Sequence, residues 1–132
     1  MIRLRAVAAL LLLTAAGTFA FWLAFFAAGD VVRARDTDVY LAFERSFPAA
    51  DAWMAVASAA AAIGLLGRRA WATAAGVAAG SALVFLGLID VTFDVEQGMY
   101  AQWSAAVAVE IAINVYCLVV GPFLMLWFWK NR

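Results

Sequence analysis

Residues 6–28 read AVAALLLLTAAGTFAFWLAFFAA, a run of 23 residues without a single charged side chain. At a rise of about 1.5 Å per residue, a helix of this length crosses a hydrocarbon core about 30 Å thick. A signal peptide is the alternative interpretation, because MIRLR is positively charged and Ala27-Ala28-Gly29 has the small residues of a cleavage site. The run is longer than the apolar region of a usual signal peptide, so the sequence predicts a first membrane span.

The rest of the chain continues this pattern. Of its 132 residues, 68% are hydrophobic and only 14% are charged, which is typical of an integral membrane protein. Further apolar blocks predict spans over residues 48–66, 70–89 and 104–129, the third with a helical extension to residue 97, where Gly98 would end it. Gly121-Pro122 should bend the fourth span. The predicted fold is therefore an all-α, four-transmembrane-helix bundle that forms a single domain over residues 1–132.

If the chain crosses the membrane four times, six of its cations fall on one side of the membrane and all of its acids fall toward the other. Six cations fall at one end of the spans: Arg3, Arg5, Arg68, Arg69, Lys130 and Arg132. All nine acids fall toward the other end: Asp30, Asp36, Asp38, Glu44, Asp51, Asp90, Asp94, Glu96 and Glu110. An odd number of spans would scatter these charges, and the positive-inside rule assigns the cationic end to the cytoplasm. The sequence thus predicts a multi-pass protein of the plasma (inner) membrane, with both termini cytoplasmic. The excess of Arg over Lys, together with the high Ala content, suggests a bacterial origin.

Several classes of function are excluded by composition. The formal net charge is zero and no basic run occurs, which argues against a nucleic-acid partner. Histidine is absent and Cys117 is the only cysteine, so an intrachain disulfide, a Cys/His zinc site, a His-ligated haem and a Ser-His-Asp triad are ruled out. We expect no cofactor. The acids leave Ca²⁺ or Mg²⁺ binding open, although no EF-hand spacing is present.

An acidic layer is predicted near the outer end of the spans. The stretch LGLIDVTFDVEQGMY, residues 86–100, carries Asp90 and Asp94 on one helical face. Counting about 1.5 Å per residue from the inner rim places Asp51, Asp90 and Glu110 at one level, roughly 25 to 28 Å up. Asn114 lies one turn deeper than Glu110 on the same face. Three helices are therefore expected to bring carboxylates together just inside the outer boundary.

Glu110 is the most informative member of this layer. A charged side chain facing lipid costs about 2.5 kcal/mol or more at depth, so Glu110 should face the bundle interior and have a partner there. For Asp51 and Asp94 a solvated rim network with the outer arginines is the alternative. The predicted ligand-binding residues are Glu110, Asn114, Asp90, Asp94, Asp51, Glu44, Arg45 and Tyr40.

The segment DTDVYLAFERSFP, residues 36–48, connects the first two spans. Val39, Phe43 and Phe47 recur at helical spacing, which predicts a short amphipathic helix on the outer face, capped by Asp36 or Thr37. Such a helix would act as a lid over the bundle or as an interfacial anchor.

Gly76 and Gly80 form a small-xxx-small pattern in the third span. The Ala-rich second span is the expected partner of this face. The same small-residue faces also allow homo- or hetero-oligomers.

Three functions are consistent with these features. The favoured one is a non-enzymatic membrane protein whose outward-facing acidic pocket binds a lipid-like or cationic amphipathic molecule. The second is a structural or accessory subunit of a larger membrane complex. The third is a carboxylate-based, lipid-modifying isomerase.

The third hypothesis rests on a resemblance. A second helix started by Pro48, acids Asp90 and Asp94 closing the third helix, and a Pro122-bent fourth helix ending in cations resemble the EXPERA group of four- and five-helix membrane proteins. That group includes sterol isomerases and sterol- or drug-binding receptors. The histidine expected of the isomerases has no counterpart in this chain.

Overall fold

A computed structural model describes residues 2–132, apart from the side chains of Ile2 and Asp30. The side chain of Asp30, one of the nine acids, therefore lies outside the described part. The helices are α1 (Ile2–Ala27), α2 (Gly29–Val32), α3 (Asp38–Glu44), α4 (Phe47–Leu66), α5 (Ala72–Glu96) and α6 (Ala105–Lys130). A 3-10 turn, Met99–Ala101, precedes α6, and the described residues contain no strand.

Four of these helices, α1, α4, α5 and α6, are long and apolar enough to cross a membrane. This confirms the predicted all-helical class and the predicted number of spans. The last helix runs through Pro122 without interruption.

The four long helices pack in chain order. α1 lies against α4, α4 against α5, and α5 against α6, whereas α1 and α6 contact each other little. The bundle therefore has one open seam, between its first and last spans.

Residues that suit helix ends lie at three of the helix termini. The Ser104 hydroxyl caps α6, and the Thr37 hydroxyl caps α3. Gly98, just beyond α5, has a φ of 60°, a left-handed conformation that suits glycine after a helix. Ser46, the residue before α4, does not cap that helix with its side chain but donates its hydroxyl proton to the carbonyl of Phe43. It belongs to the turn that joins α3 to α4.

The glycine pair of α5 faces a different partner from the one expected. A Cβ at Gly76 would overlap the ring of Phe128, and a Cβ at Gly80 would lie 2.7 Å from the carbonyl oxygen of Gly121. Both neighbours belong to α6, so the prediction that this face packs on the second span is wrong. The small residues are used where two backbones approach most closely, at the α5–α6 interface.

Candidate ligand-binding cleft

A cavity of about 420 Å³ lies at the open seam, between α1 and α6 and backed by α4 and α5. This volume falls within the range of about 300–1,000 Å³ that is usual for small-molecule sites. Its walls are mainly apolar: Leu10, Leu13, Phe21, Met54, Leu83, Leu86 and Ile113. Along α1 the lining extends from Leu10 to Trp22, roughly 18 Å of helix at 1.5 Å per residue.

The polar end of the cavity is acidic. Glu44, Asp51, Asp90 and Glu110 line it, together with Asn114. Among the residues that the structure describes, no lysine or arginine lines this space. The end is therefore suited to a ligand group that donates hydrogen bonds or carries positive charge.

Glu110 is held by one hydrogen bond and has a free oxygen. The Tyr40 hydroxyl donates to Glu110 Oε1 at 2.8 Å and accepts the backbone N–H of Ala34 at 3.1 Å. Glu110 is only 4% exposed, and its Oε2 has no hydrogen-bond partner. Since buried polar atoms are rarely left unpaired, this oxygen is available to accept a hydrogen bond from a bound molecule.

Asn114, one helical turn from Glu110 in α6, also has one bonded and one unpaired polar atom. Its amide nitrogen donates to Asp94 Oδ2 at 3.1 Å, which fixes the amide orientation because an ionised carboxylate only accepts. The side chain is 3% exposed, and Oδ1 has no partner. Glu110 and Asn114, on neighbouring turns of α6, both line the cavity, and each has an unpaired oxygen.

Tyr100 lies behind this pair, outside the spans, with its hydroxyl 3.5 Å from the amide nitrogen of Asn114. Burial, followed by a hydrogen bond with Asp94, raises the pKa of Tyr100 to about 12. Its hydroxyl consequently stays protonated at physiological pH and can donate to Asp94.

The first span contributes polar contacts of its own. Trp22 Nε1 donates to Asp51 Oδ2 at 2.7 Å, joining α1 to α4 at the acidic end. Deeper in the bundle, the hydroxyls of Thr14 and Tyr116 lie 2.5 Å apart. Thr14 donates its only proton to Leu10 O, so Tyr116 is the donor to Thr14. This bond connects α1 to α6 across the seam.

Helix α3 covers the acidic end. Tyr40 and Glu44, one turn apart, are 1% and 6% exposed, whereas Val39 is 58% exposed. The Phe43 ring stacks on Phe93 of α5 with centroids 3.8 Å apart. Val39 therefore faces away from the cavity, whereas Phe43 packs on α5, because the buried hydrogen bond of Tyr40 sets the rotation of this short helix.

Arg35 also helps to hold the segment before α3 over the acidic end of the cavity. It donates from Nη1 to Gln97 O at 3.0 Å and from Nη2 to Gly98 O at 2.9 Å. A guanidinium on the last carbonyls of a helix is favourable, because the helix dipole leaves negative charge there. The segment before α3 is thereby attached to the end of α5.

Of the residues predicted to bind a ligand, five line the cavity: Glu44, Asp51, Asp90, Glu110 and Asn114. Tyr40 and Asp94 lie one contact behind them, bonded to Glu110 and Asn114. Arg45 is exposed and does not line the cavity.

Sequence reasoning missed the contribution of α1. Thr14, Gly17, Thr18 and Trp22 all line the cavity. Thr14, Thr18 and Trp22 recur every four residues, so they form a polar stripe along one face of an otherwise apolar helix. That spacing is a signal that could have identified the face.

Within residues 2–132, no group of three or more His, Cys, Asp or Glu side chains is arranged to hold a metal ion. The chain matches no protein-family model, and neither a curated protein nor a solved structure shows significant similarity to it. The functional conclusion therefore depends on the geometry of the cleft alone.

Proposed function

We propose that this membrane protein binds a small amphipathic molecule in the cleft between α1 and α6. The observation that carries the proposal is the pair of unpaired, buried acceptors, Glu110 Oε2 and Asn114 Oδ1, at one end of an apolar cavity. A polar head would pair with these oxygens, and an apolar tail would lie along the walls.

The energetics favour an occupied site. An unsatisfied buried polar group costs about 1–3 kcal/mol, and more when it is charged. Two such atoms on neighbouring turns of one helix are hard to account for in a bundle whose only role is packing. A ligand that donates to both would offset that cost and would also bury its apolar part.

Access from the bilayer is the natural route for such a molecule. The seam between α1 and α6 is the one place where neighbouring spans are not closely packed, so an amphipathic ligand can enter sideways from lipid. If the cationic loops lie in the cytoplasm, as the positive-inside rule indicates, the acidic end faces outward and α3 acts as its cover.

The cleft favours ligand binding over the role of an accessory subunit. Gly76 and Gly80, the residues that would offer a close-packing face to another chain, are already covered by α6. The lipid-modifying alternative would require the same cavity to be occupied first, so a binding experiment addresses both.

A cavity-filling variant tests the proposal. Gly17 lines the cavity, and a Cβ there would meet no atom within 4 Å, so Gly17→Leu should place its side chain in the ligand's space. Leu also has a higher helix propensity than Gly, so the helix itself is not weakened. Ala16→Leu is the matched control, because Ala16 is exposed on the same helix and does not line the cavity.

Native mass spectrometry of protein extracted from membranes is the measurement. We expect a co-purified small molecule on the wild type and on Ala16→Leu, and its loss from Gly17→Leu. A bound molecule that survives Gly17→Leu unchanged would place it elsewhere and contradict the proposal.

A further inference from the structure

We infer that the head group recognised by the cleft is a primary ammonium, which donates N–H bonds to Glu110 Oε2 and Asn114 Oδ1 together. This inference rests on the proposed function and specifies the chemical class of its ligand. It follows from the hydrogen-bond inventory of the acidic end.

Both vacant atoms are acceptors when Glu110 is ionised. Tyr40 already occupies Glu110 Oε1, and the Asn114 amide nitrogen already donates to Asp94. The two oxygens that remain belong to side chains at least nine-tenths buried. A ligand must therefore bring donors, and a phosphate or carboxylate head brings only acceptors and negative charge.

A ligand needs two hydrogen-bond donors to pair with both acceptors. An alcohol has a single O–H, so it would satisfy one oxygen and leave the other unpaired. A quaternary ammonium has no N–H and would satisfy neither. A primary ammonium has three donors in a compact group, enough for both acceptors with one to spare.

The surrounding charge favours a cation. Glu44, Asp51 and Asp90 line the same end as Glu110, with no lysine or arginine among the described lining residues. The guanidinium of Arg35 is engaged with the carbonyls of Gln97 and Gly98. A positive head group would therefore be the counter-charge that the cavity wall does not supply.

The sole cysteine provides a readout on the unmodified protein. Cys117 lines the cavity, so an occupant should slow its alkylation by N-ethylmaleimide, followed as a mass shift. The probes are dodecylamine, dodecyltrimethylammonium, dodecanol and dodecanoate, each added to protein in phosphatidylcholine nanodiscs. They share one tail and differ in donors and charge.

We expect dodecylamine to protect Cys117 at a concentration at least 10-fold lower than the other three probes. In Glu110→Gln the preference for the amine over the quaternary ammonium should fall at least 10-fold. Glu96→Gln is the matched control, because it is the same substitution at an exposed glutamate that does not line the cavity. The preference should persist in that variant.

Equal protection by the amine and the alcohol, or by the amine and the quaternary ammonium, would overturn the inference and leave the binding proposal standing. Equal loss of preference in Glu96→Gln and Glu110→Gln would likewise overturn it, since diffuse charge would then explain recognition. If no probe protects Cys117 and Gly17→Leu alkylates at the wild-type rate, both the inference and the proposed function fail.

Discussion

The hydroxyl of Tyr40 connects the covering helix α3 to the acidic end of the cleft, and its removal provides the sharpest test of this geometry. Tyr40→Phe keeps the ring and deletes one oxygen atom. That atom donates to Glu110 Oε1 at 2.8 Å and accepts from the Ala34 N–H at 3.1 Å. Because Glu110 Oε2 has no partner, the variant leaves this carboxyl group without any hydrogen bond.

The expected loss of stability follows from these two bonds. A hydrogen bond to a charged group contributes about 1.5–3 kcal/mol and a neutral one about 0.5–1.5 kcal/mol, so Tyr40→Phe should lower the free energy of unfolding by about 2–4.5 kcal/mol. A typical interhelical hydrogen bond in a membrane protein contributes only about 0.6 kcal/mol. The Tyr40 bond should exceed that value because a buried carboxyl group depends on it.

Equilibrium unfolding of the detergent-solubilised protein measures this difference. Tyr100→Phe is the matched control, because its side chain is 38% exposed, so water can replace its hydroxyl as the partner of Asp94 and Asn114. We expect the control to lose about 0.6 kcal/mol or less. Hydrogen exchange adds a local readout, since the amide of Ala34 should exchange faster in Tyr40→Phe alone. Equal stability losses in the two variants, with no change at Ala34, would refute the reasoning.

Further predictions concern packing at both ends of the bundle. Gly76→Ala should destabilise the protein in the same unfolding assay, because the new methyl group would overlap the Phe128 ring at the α5–α6 interface. Phe43→Leu should lose the stacking on Phe93, worth about 0.5–1.5 kcal/mol beyond area burial, and limited proteolysis should then cleave faster near α3. Cys117, at 7% exposure, should react with a bulky hydrophilic maleimide only after unfolding, and rapid labelling of the folded protein would contradict the packing.

Much of the architecture was predictable because it depends only on distances counted along the chain. The length of a charge-free run is compared directly with the thickness of a bilayer, which explains why four membrane-length helices were expected and found. The same counting along helices placed Asp51, Asp90 and Glu110 at one level, and the structure brings all three to one cavity. The rise per residue of a helix is enough to predict that these carboxylates share one level.

The rotation and pairing of the helices were decided only by the tertiary structure. A span that is apolar all round has no polar face to orient it, and lipid is as apolar as the protein interior. For this reason Gly76 faces α6 rather than the second span, and Tyr40 rather than Val39 points inward. The open seam between α1 and α6 likewise depends on which spans pack together. The sequence by itself determined how many times the chain can cross and how high its acids lie, whereas three-dimensional packing decided which side chains enclose the cleft.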